Sequence, residues 1–521
     1  MIGDELTYRI HSALGMPPTE EQARAIGVFS RFMTDRGDRV AMIMRGSAGT
    51  GKTTLAGAMV RALAGLGLKM VLMAPTGRAA KVFSLNAGHQ AFTIHRRIYR
   101  QRTAGDLSAF NVGVNLSADT LFIVDEASMV ANGGAAATVF GSGRLLDDMI
   151  EYVYSGRNCR MMLIGDSAQL PPVGEEESPA LQADVLRCYG LDVYETDLTE
   201  VLRQAGESGI LYNATVIRSM ITRDELTRLP LIRLHGFADI HVVPGDELIE
   251  SLATSYSSVG QDETMVVTRS NKRANIYNRG IRAMVLGREE ELSTGDMLMI
   301  VKNKYLNLKE EGRVKSEEFA AAVKGEKKES SSATAAADSS LFTLHSSFKE
   351  DSSFFPLHSS FNYIANGDRA RVYRVRNVHE MHGFRFAEVT LQFPDYDDYE
   401  LTDTVILDTL ASEAPALTRE QSEHLYAAVA EDYADIPRKA DRLKAMKEDR
   451  YYSALQIKYA YAVTCHKAQG GQWAHIYLDH GYMTDDMLTP DYIHWLYTAF
   501  TRATEKLFLV NWPKTQTVSE N

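Results

Sequence analysis

The sequence predicts an α/β protein built on parallel sheets, and three observations carry that expectation. Apolar runs of strand length, Val40–Met44, Lys69–Ala74, Leu121–Val124 and Met161–Ile164, alternate with helix-like stretches. A glycine-rich string, GSAGTGKT at Gly46–Thr53, joins the first run to the apolar helical stretch Leu55–Ala64. Two adjacent carboxylates, Asp125 and Glu126, follow directly on a run that reads as a buried parallel strand.

Strand, loop and helix in that order form a phosphate-binding turn. Gly46, Gly49 and Gly51 let the backbone curl until successive N–H groups face one point, where the helix N-terminus adds its partial positive charge. The expected guest is a polyphosphate, with Lys52 bridging its outer phosphates and the Thr53 hydroxyl ligating a magnesium ion. Leu121–Val124 then delivers Asp125 and Glu126 to the C-terminal end of a strand, where ligands bind in such sheets. Phosphoryl transfer needs charge neutralisation and in-line positioning more than covalent chemistry. Asp125 is therefore expected in the magnesium shell and Glu126 beside the attacking water. Adjacent carboxylates on a loop are otherwise solvated surface, and the upstream phosphate loop favours the functional reading.

GSAGTGKT, DEAS at Asp125–Ser128, GDSAQLPPV at Gly165–Val173 and YTAFTRA at Tyr497–Ala503 follow one another along the chain. At these strings the chain resembles superfamily 1 helicases, and within them the RecD-like and Dda-like group that travels 5′ to 3′ on single-stranded DNA. The resemblance runs from about residue 17 to 305 and again from about 362 to 512. It implies two RecA-like P-loop domains with parallel sheets, an SH3-like β-barrel inserted in the second, and ATP and Mg2+ as cofactors. It implies single-stranded DNA and single-strand/duplex junctions as partners. Gln22 of PTEEQ is then the adenine reader, and Gly46, Ala48, Gly49, Thr50, Gly51, Lys52, Thr53 and Thr54 cradle the nucleotide. Gln169 becomes the sensor linking the γ-phosphate to DNA, with Pro171 and Pro172 stiffening the turn behind it. Arg203 of LTEVLRQ and Arg502 of YTAFTRA become the arginine fingers, a contribution worth about 10³–10⁵ in turnover where it occurs.

The same resemblance assigns DNA contacts to Pro75, Thr76, Gly77 and Arg78 of APTGRAA, and to Thr93, His95 and Arg96 of FTIHRRI. From AYAVTCHKAQGGQW at Ala460–Trp473 it takes Thr464 and His466 toward DNA, and Gln469 and Gly470 toward the nucleotide; Lys467 and Trp473 stay unassigned. Such contacts fix a strand without reading its sequence.

Residues 1–196 are expected to form the first domain, with a hairpin-like insertion at 101–118 whose one obvious candidate tip is Phe110. The second domain is split into 197–305 and 451–514, around an insertion at 306–450. Within the insertion, 312–361 is rich in Glu, Lys, Ser and Ala and carries LHSSF twice, at Leu344–Phe348 and Leu357–Phe361. That composition predicts a disordered loop. From Ala370 to Phe393 apolar and polar residues alternate as in short antiparallel strands, and Thr418–Asp449 reads as one or two helices broken near Pro437.

The formal net charge of −12 opposes a nucleic-acid ligand at first sight. Its distribution removes the objection: Pro394–Ile436 holds twelve acids against Arg419, which is nearly the whole imbalance. Conversely, Leu72–Thr103 carries six basic residues and no acid, and so does Thr264–Arg288. Cys159, Cys188 and Cys465 are far apart and show no metal-ligand spacing, which predicts a reduced compartment. MIGDELTYRI lacks the pattern of a signal peptide and no apolar stretch is long enough to span a bilayer, so the expected location is the cytoplasm. HEMH at His379–His382 has its histidines three apart in a strand-like region, the wrong spacing for a zinc helix. Two other readings remain open: a superfamily 1 RNA helicase, and a nucleotide-switched clamp that remodels nucleic acid without net travel.

Overall fold

The computed structural model describes residues 2–101, 110–133, 141–200, 208–305 (save 224, 226 and 227), 363–484 (save 397) and 487–518. In its N-terminal part the strands are β1 Val40–Gly46, β2 Lys69–Ala74, β3 Ala91–Thr93, β4 Tyr99–Gln101, β5 Phe110–Val112, β6 Thr120–Val124, β7 Arg160–Gly165 and β8 Asp192–Leu198. Six of them form one sheet in the order β3-β2-β6-β7-β1-β8, every pair parallel. β6 is buried at every position, as a strand with helices on both faces must be. Helices Ile2–Leu14, Glu20–Thr34, Lys52–Gly65 and Gly77–Ala87 pack their apolar faces onto this sheet through Leu6, Ile10, Phe29, Phe32, Met59 and Phe83. β4 and β5 pair as a small antiparallel hairpin, Gln101 opposite Phe110. Phe110 therefore lies in an arm of the hairpin, only 7% exposed, and not at its tip. Residues 102–109 lie outside the described residues.

The chain continues through β9 Ile240–Val243, β10 Thr264–Thr268, β11 Met297–Ile300, β12 Lys304–Tyr305, β13 Tyr363–Ile364, β14 Arg369–Met381, β15 Phe384–Phe393, β16 Tyr399–Ile406, β17 Leu455–Tyr459, β18 Ala462–Thr464, β19 Trp473–Asp479 and β20 Ala503–Val510. A second parallel sheet has the order β18-β10-β19-β20-β9. Between β10 and β18 the chain builds a closed barrel, β11-β14-β15-β16-β17, antiparallel except where β16 meets β17. The architecture is thus two parallel α/β sheets and an inserted β-barrel, as the sequence predicts.

The edges of the barrel differ from the expected boundaries. Met297–Ile300 and Leu455–Tyr459, assigned from sequence to the second α/β domain, are barrel strands paired with each other, Leu298 opposite Tyr459. Both are short runs buried throughout, a pattern that fits a parallel sheet and a barrel wall equally well. Residues 303–364 make a separate compact unit, of which the structure describes the ladder of β12 and β13. The expected low-complexity loop at 312–361 and both LHSSF copies lie outside the described residues.

Candidate functional site

The order of the first sheet assembles the site. β7 lies between β1 and β6, with Met44 beside Ile164 and Val124 beside Leu163. The glycine-rich loop after β1, Asp125–Glu126 after β6 and Asp166–Gln169 after β7 therefore leave one sheet edge from neighbouring strands, the carboxyl edge where α/β sheets bind ligands.

Gly49 and Gly51 both adopt φ 80°, the left-handed region that curls the loop. Gly46 is needed for space, since a Cβ there would stand 2.9 Å from Thr50 Oγ1 and 3.0 Å from the Leu198 carbonyl. Thr50 donates its hydroxyl to the Ser47 carbonyl at 2.9 Å, tightening the turn. Helix Lys52–Gly65 begins at Gly51 without a side-chain cap, so the first-turn N–H groups of Lys52, Thr53 and Thr54 keep their positive end toward the loop. Lys52 Nζ donates to the carbonyls of Gly46 and Ser47 at 2.7 and 2.8 Å. Its charge reaches Asp125.

Burial, and secondarily the charge of Glu126, pushes the Asp125 carboxyl up to about 7. Glu126 itself takes a left-handed conformation, φ 53° and ψ 38°, which costs a non-glycine residue about 1–2 kcal/mol. Its N–H donates to Asp125 Oδ1 at 2.9 Å, locking the two carboxylates into one turn. The donor set fits a hard divalent cation: the Thr53 hydroxyl and a buried Asp125 carboxyl, all oxygen, with the Ser47 and Ser128 hydroxyl oxygens buried and unpartnered.

A second group of residues closes on the Ala168–Leu170 turn from the far side. Gln469 Nε2 donates to the Leu170 carbonyl at 2.7 Å, Thr498 Oγ1 accepts from Leu170 N at 2.7 Å, and His494 Nδ1 meets the Ala168 carbonyl at 2.9 Å. Tyr497 is fully buried; its hydroxyl donates to Asp166 Oδ2 at 2.6 Å and accepts from Ala48 N of the phosphate loop at 3.1 Å. Gln169 is 5% exposed with its Oε1 buried and unpartnered, which suits a sensor.

Other expected nucleotide residues fall differently. Gln22 is buried beside the loop, but its Oε1 accepts from Thr19 N at 3.2 Å in a capping box and its Nε2 donates to the Thr50 carbonyl at 3.3 Å. It ties helix Glu20–Thr34 to the loop. Arg203 lies outside the described residues. The start of its string is anchored at the site, for Leu198 pairs with Gly46 and Glu21 accepts from Glu200 N at 2.8 Å. Arg502 is 2% exposed and commits its guanidinium to Thr498 O, Gly471 O and Thr501 Oγ1 at 3.0–3.1 Å, with no donor turned to the phosphate loop in these contacts. Gly470, at φ 72°, is brought to the first sheet, where a Cβ would lie 3.0 Å from Thr76 Oγ1.

The expected nucleic-acid residues divide into frame and surface. Thr76 and Thr93 are helix N-caps, accepting from Ala79 N at 3.2 Å and Arg96 N at 3.3 Å. Pro75 precedes that cap half-buried, and Gly77 is buried. Arg78 stacks over the Trp473 ring at 4.6 Å and pairs with Glu263 at 3.7 Å, while burial lowers it to about 10. It is an interdomain contact. Burial brings His95 down to about 4, so it is a neutral imidazole that cannot attract phosphate by charge. Arg96 lies over the Phe92 ring at 5.5 Å. Thr464 ends β18 at the carboxyl edge of the second sheet, beside Thr268, and exposed His466 follows it. Half of the basic run Thr264–Arg288 is paired: Arg273 with Asp479, and Arg282 and Arg288 sharing the buried Asp296 at 2.9 and 2.7 Å.

Sequence reasoning missed Asp166, His494, Tyr497 and Thr498 as site residues. Asp166 and both hydroxyl residues lay inside quoted strings, and their position next to Gln169 and Arg502 was the available signal.

Residues 19–219 match the AAA domain family and residues 459–510 match the UvrD-like helicase C-terminal domain family. The chain is 24% identical over 317 residues to the ATP-dependent DNA helicase dda of Enterobacteria phage T4, covering 57% of this chain and 64% of that protein. It is 30% identical over 173 residues to the ATP-dependent RecD2 DNA helicase of Deinococcus radiodurans, covering 33% of this chain and 21% of that protein. Among solved structures, Pif1 helicase from Bacteroides in complex with ADP-AlF3 and ssDNA aligns over 97% of this chain and 95% of its own, with a TM-score of 0.45 and 15% identity.

Proposed function

We propose that this chain is a member of the RecD-like and Dda-like group of superfamily 1 helicases, to which its matched families and relatives point, and that it hydrolyses ATP to move 5′ to 3′ along single-stranded DNA and part the duplex ahead. The observation that carries this reading is the clasp across the cleft. The phosphate loop and the Ala168–Leu170 turn are bonded to Tyr497, Thr498, His494 and Gln469, all from the segment around the second sheet. A change at the phosphates is thereby transmitted to the strand ends that carry Thr464 and His466.

In this reading Lys52 and the first-turn N–H groups hold the phosphates, and Gln169 registers the outermost one. Glu126, held in its left-handed turn, aims a carboxylate at the attacking water and orients it in line. Magnesium, held by Thr53 and Asp125, would neutralise the charge that builds on the phosphates. Opening a base pair costs about 1.4 kcal/mol of stacking on average, so transmission between the halves is the demanding step.

Unwinding of partial duplexes with either a 5′ or a 3′ tail tests the motor and its direction. Duplex with a 5′ tail should open only with ATP, and Lys52→Ala or Glu126→Gln should lose nearly all DNA-stimulated hydrolysis. Preferential opening of the 3′-tailed duplex would reverse the assigned direction. Hydrolysis with no displacement from either tail would leave a clamp and no motor.

A further inference from the structure

The β4–β5 hairpin belongs to neither parallel sheet, yet both of its feet are fastened to one helix, Leu145–Ser155. Asp148, in the first turn of that helix and 2% exposed, accepts from the Tyr99 hydroxyl at 2.6 Å. Tyr99 opens β4 and is itself buried. The same carboxyl accepts from Ser142 N at 3.1 Å, and the adjoining Gly141 N donates to the Phe110 carbonyl of β5 at 2.6 Å. Toward the other end of the helix, the Val153 carbonyl accepts from Nδ2 of buried Asn115, just beyond β5, at 3.1 Å.

Space at this joint is as tight as the bonding. A Cβ on Gly141 would overlap the Asp148 carboxyl and stand 2.7 Å from Tyr99 Cε1, and Gly141 holds a left-handed φ of 47°. The helix is tied in turn to the segment behind the paired carboxylates: Leu146 N donates to the Ala131 carbonyl and Arg144 Nε to the Asn132 carbonyl, both at 3.0 Å. A two-stranded ribbon is marginally stable when it stands alone. This one takes its stiffness from the helix.

We propose that Asp148 is a positioning residue for strand separation: through Tyr99 and the Gly141–Ser142 turn it holds the hairpin rigid against the first sheet, so that a duplex drawn toward the motor meets an edge that does not yield. The inference rests on the motor reading above and adds a part that hydrolysis and travel do not need. The hairpin follows β3 and helix Ile94–Ile98 at the carboxyl edge of the sheet, within the basic stretch Leu72–Thr103. A ribbon there that bends under load lets ATP be hydrolysed without parting base pairs.

Tyr99→Phe, Asp148→Ala and Gly141→Ala test it. Opening of a 5′-tailed duplex should slow about tenfold in each, the scale of one hydrogen bond to a carboxylate. Hydrolysis stimulated by single-stranded DNA, and displacement of streptavidin from a single strand, should stay within about twofold of wild type. The double variant Tyr99→Phe/Asp148→Ala should open duplex no more slowly than Asp148→Ala, because both changes remove the same bond. Mismatches at the junction should return most of the lost rate in all three, since a weaker duplex loads the hairpin less. Equal losses of hydrolysis and opening, additive losses in the double variant, no return of rate on the mismatched duplex, or opening at the wild-type rate would each overturn the assignment and leave Asp148 a packing residue. Wild type that hydrolyses ATP and opens no duplex would overturn the motor reading, and this inference with it.

Discussion

A buried carboxyl holds its proton late, and Asp368 is such a group. Burial raises it to about 7 from the ordinary 3.8, although it accepts from Ala365 N at 2.7 Å and from the Tyr396 hydroxyl at 2.9 Å. The native state therefore keeps a proton that the unfolded chain has already released. The resulting stability is full below about pH 4 and is lost as pH rises through 7. Asp368→Asn keeps an acceptor and removes the titration. Thermal melts at pH 5 and pH 8 should show wild type losing more stability with pH than the variant, by at most about 3 kcal/mol for the two pH units between 5 and 7. A variant that follows wild type across that range would show that the carboxyl is ionised in the fold. At this scale the sequence is legible where function is local: Gly49, Gly51, Lys52 and Asp125–Glu126 occupy one turn each. It is not legible where a partner is remote. Arg273 and Arg282 count as free charge in a window of sequence, yet Asp479 closes the first from more than two hundred residues away and Asp296 buries the second.

At the scale of the element, helix Gly77–Ala87 joins the first sheet to the barrel. A Cβ at Gly77 would lie 2.5 Å from Asp368 Oδ1 and closer still to the Tyr396 hydroxyl, so the helix docks there only because the side chain is missing. Lys81 Nζ donates to the Pro394 carbonyl one turn along the same helix. Gly77→Ala should push the barrel from the helix at a cost of about 1–3 kcal/mol, read as a lower melting temperature, with Thr76 still able to cap. An unchanged melt would mean that the barrel does not press on this helix. Strands β1, β2, β6 and β7 were legible because each is an apolar run with a helix beside it. Their order in space, which brings β7 between β1 and β6, and the membership of β11 and β17 in the barrel are set by pairings between distant segments that no window contains.

For the whole molecule, three parts converge on Trp473. Its ring is met by Arg78 of the first sheet's helix at 4.6 Å and by Arg369 of the barrel at 5.8 Å, and Trp473 itself opens β19. The two guanidinia repel, and the ring faces give both of them a favourable place. Trp473→Leu removes that mediator, so stability should fall by about 2–4 kcal/mol in urea unfolding. DNA-stimulated ATP hydrolysis should fall further than basal hydrolysis, because the lost contact lies between parts and not within the phosphate loop. Equal reduction of both rates would place Trp473 in the core alone.

The barrel enters through β11 and leaves through β17, and these strands run side by side, Met299 opposite Lys458 and Ile300 opposite Ile457. The two covalent attachments therefore sit about 5 Å apart, the spacing of paired strands. Whatever is threaded between them imposes no span on the sheets that host it. The barrel hangs on a narrow stem and can grow or shrink without prising its two attachment points apart, so long as the faces that meet helix Gly77–Ala87 and Trp473 are kept.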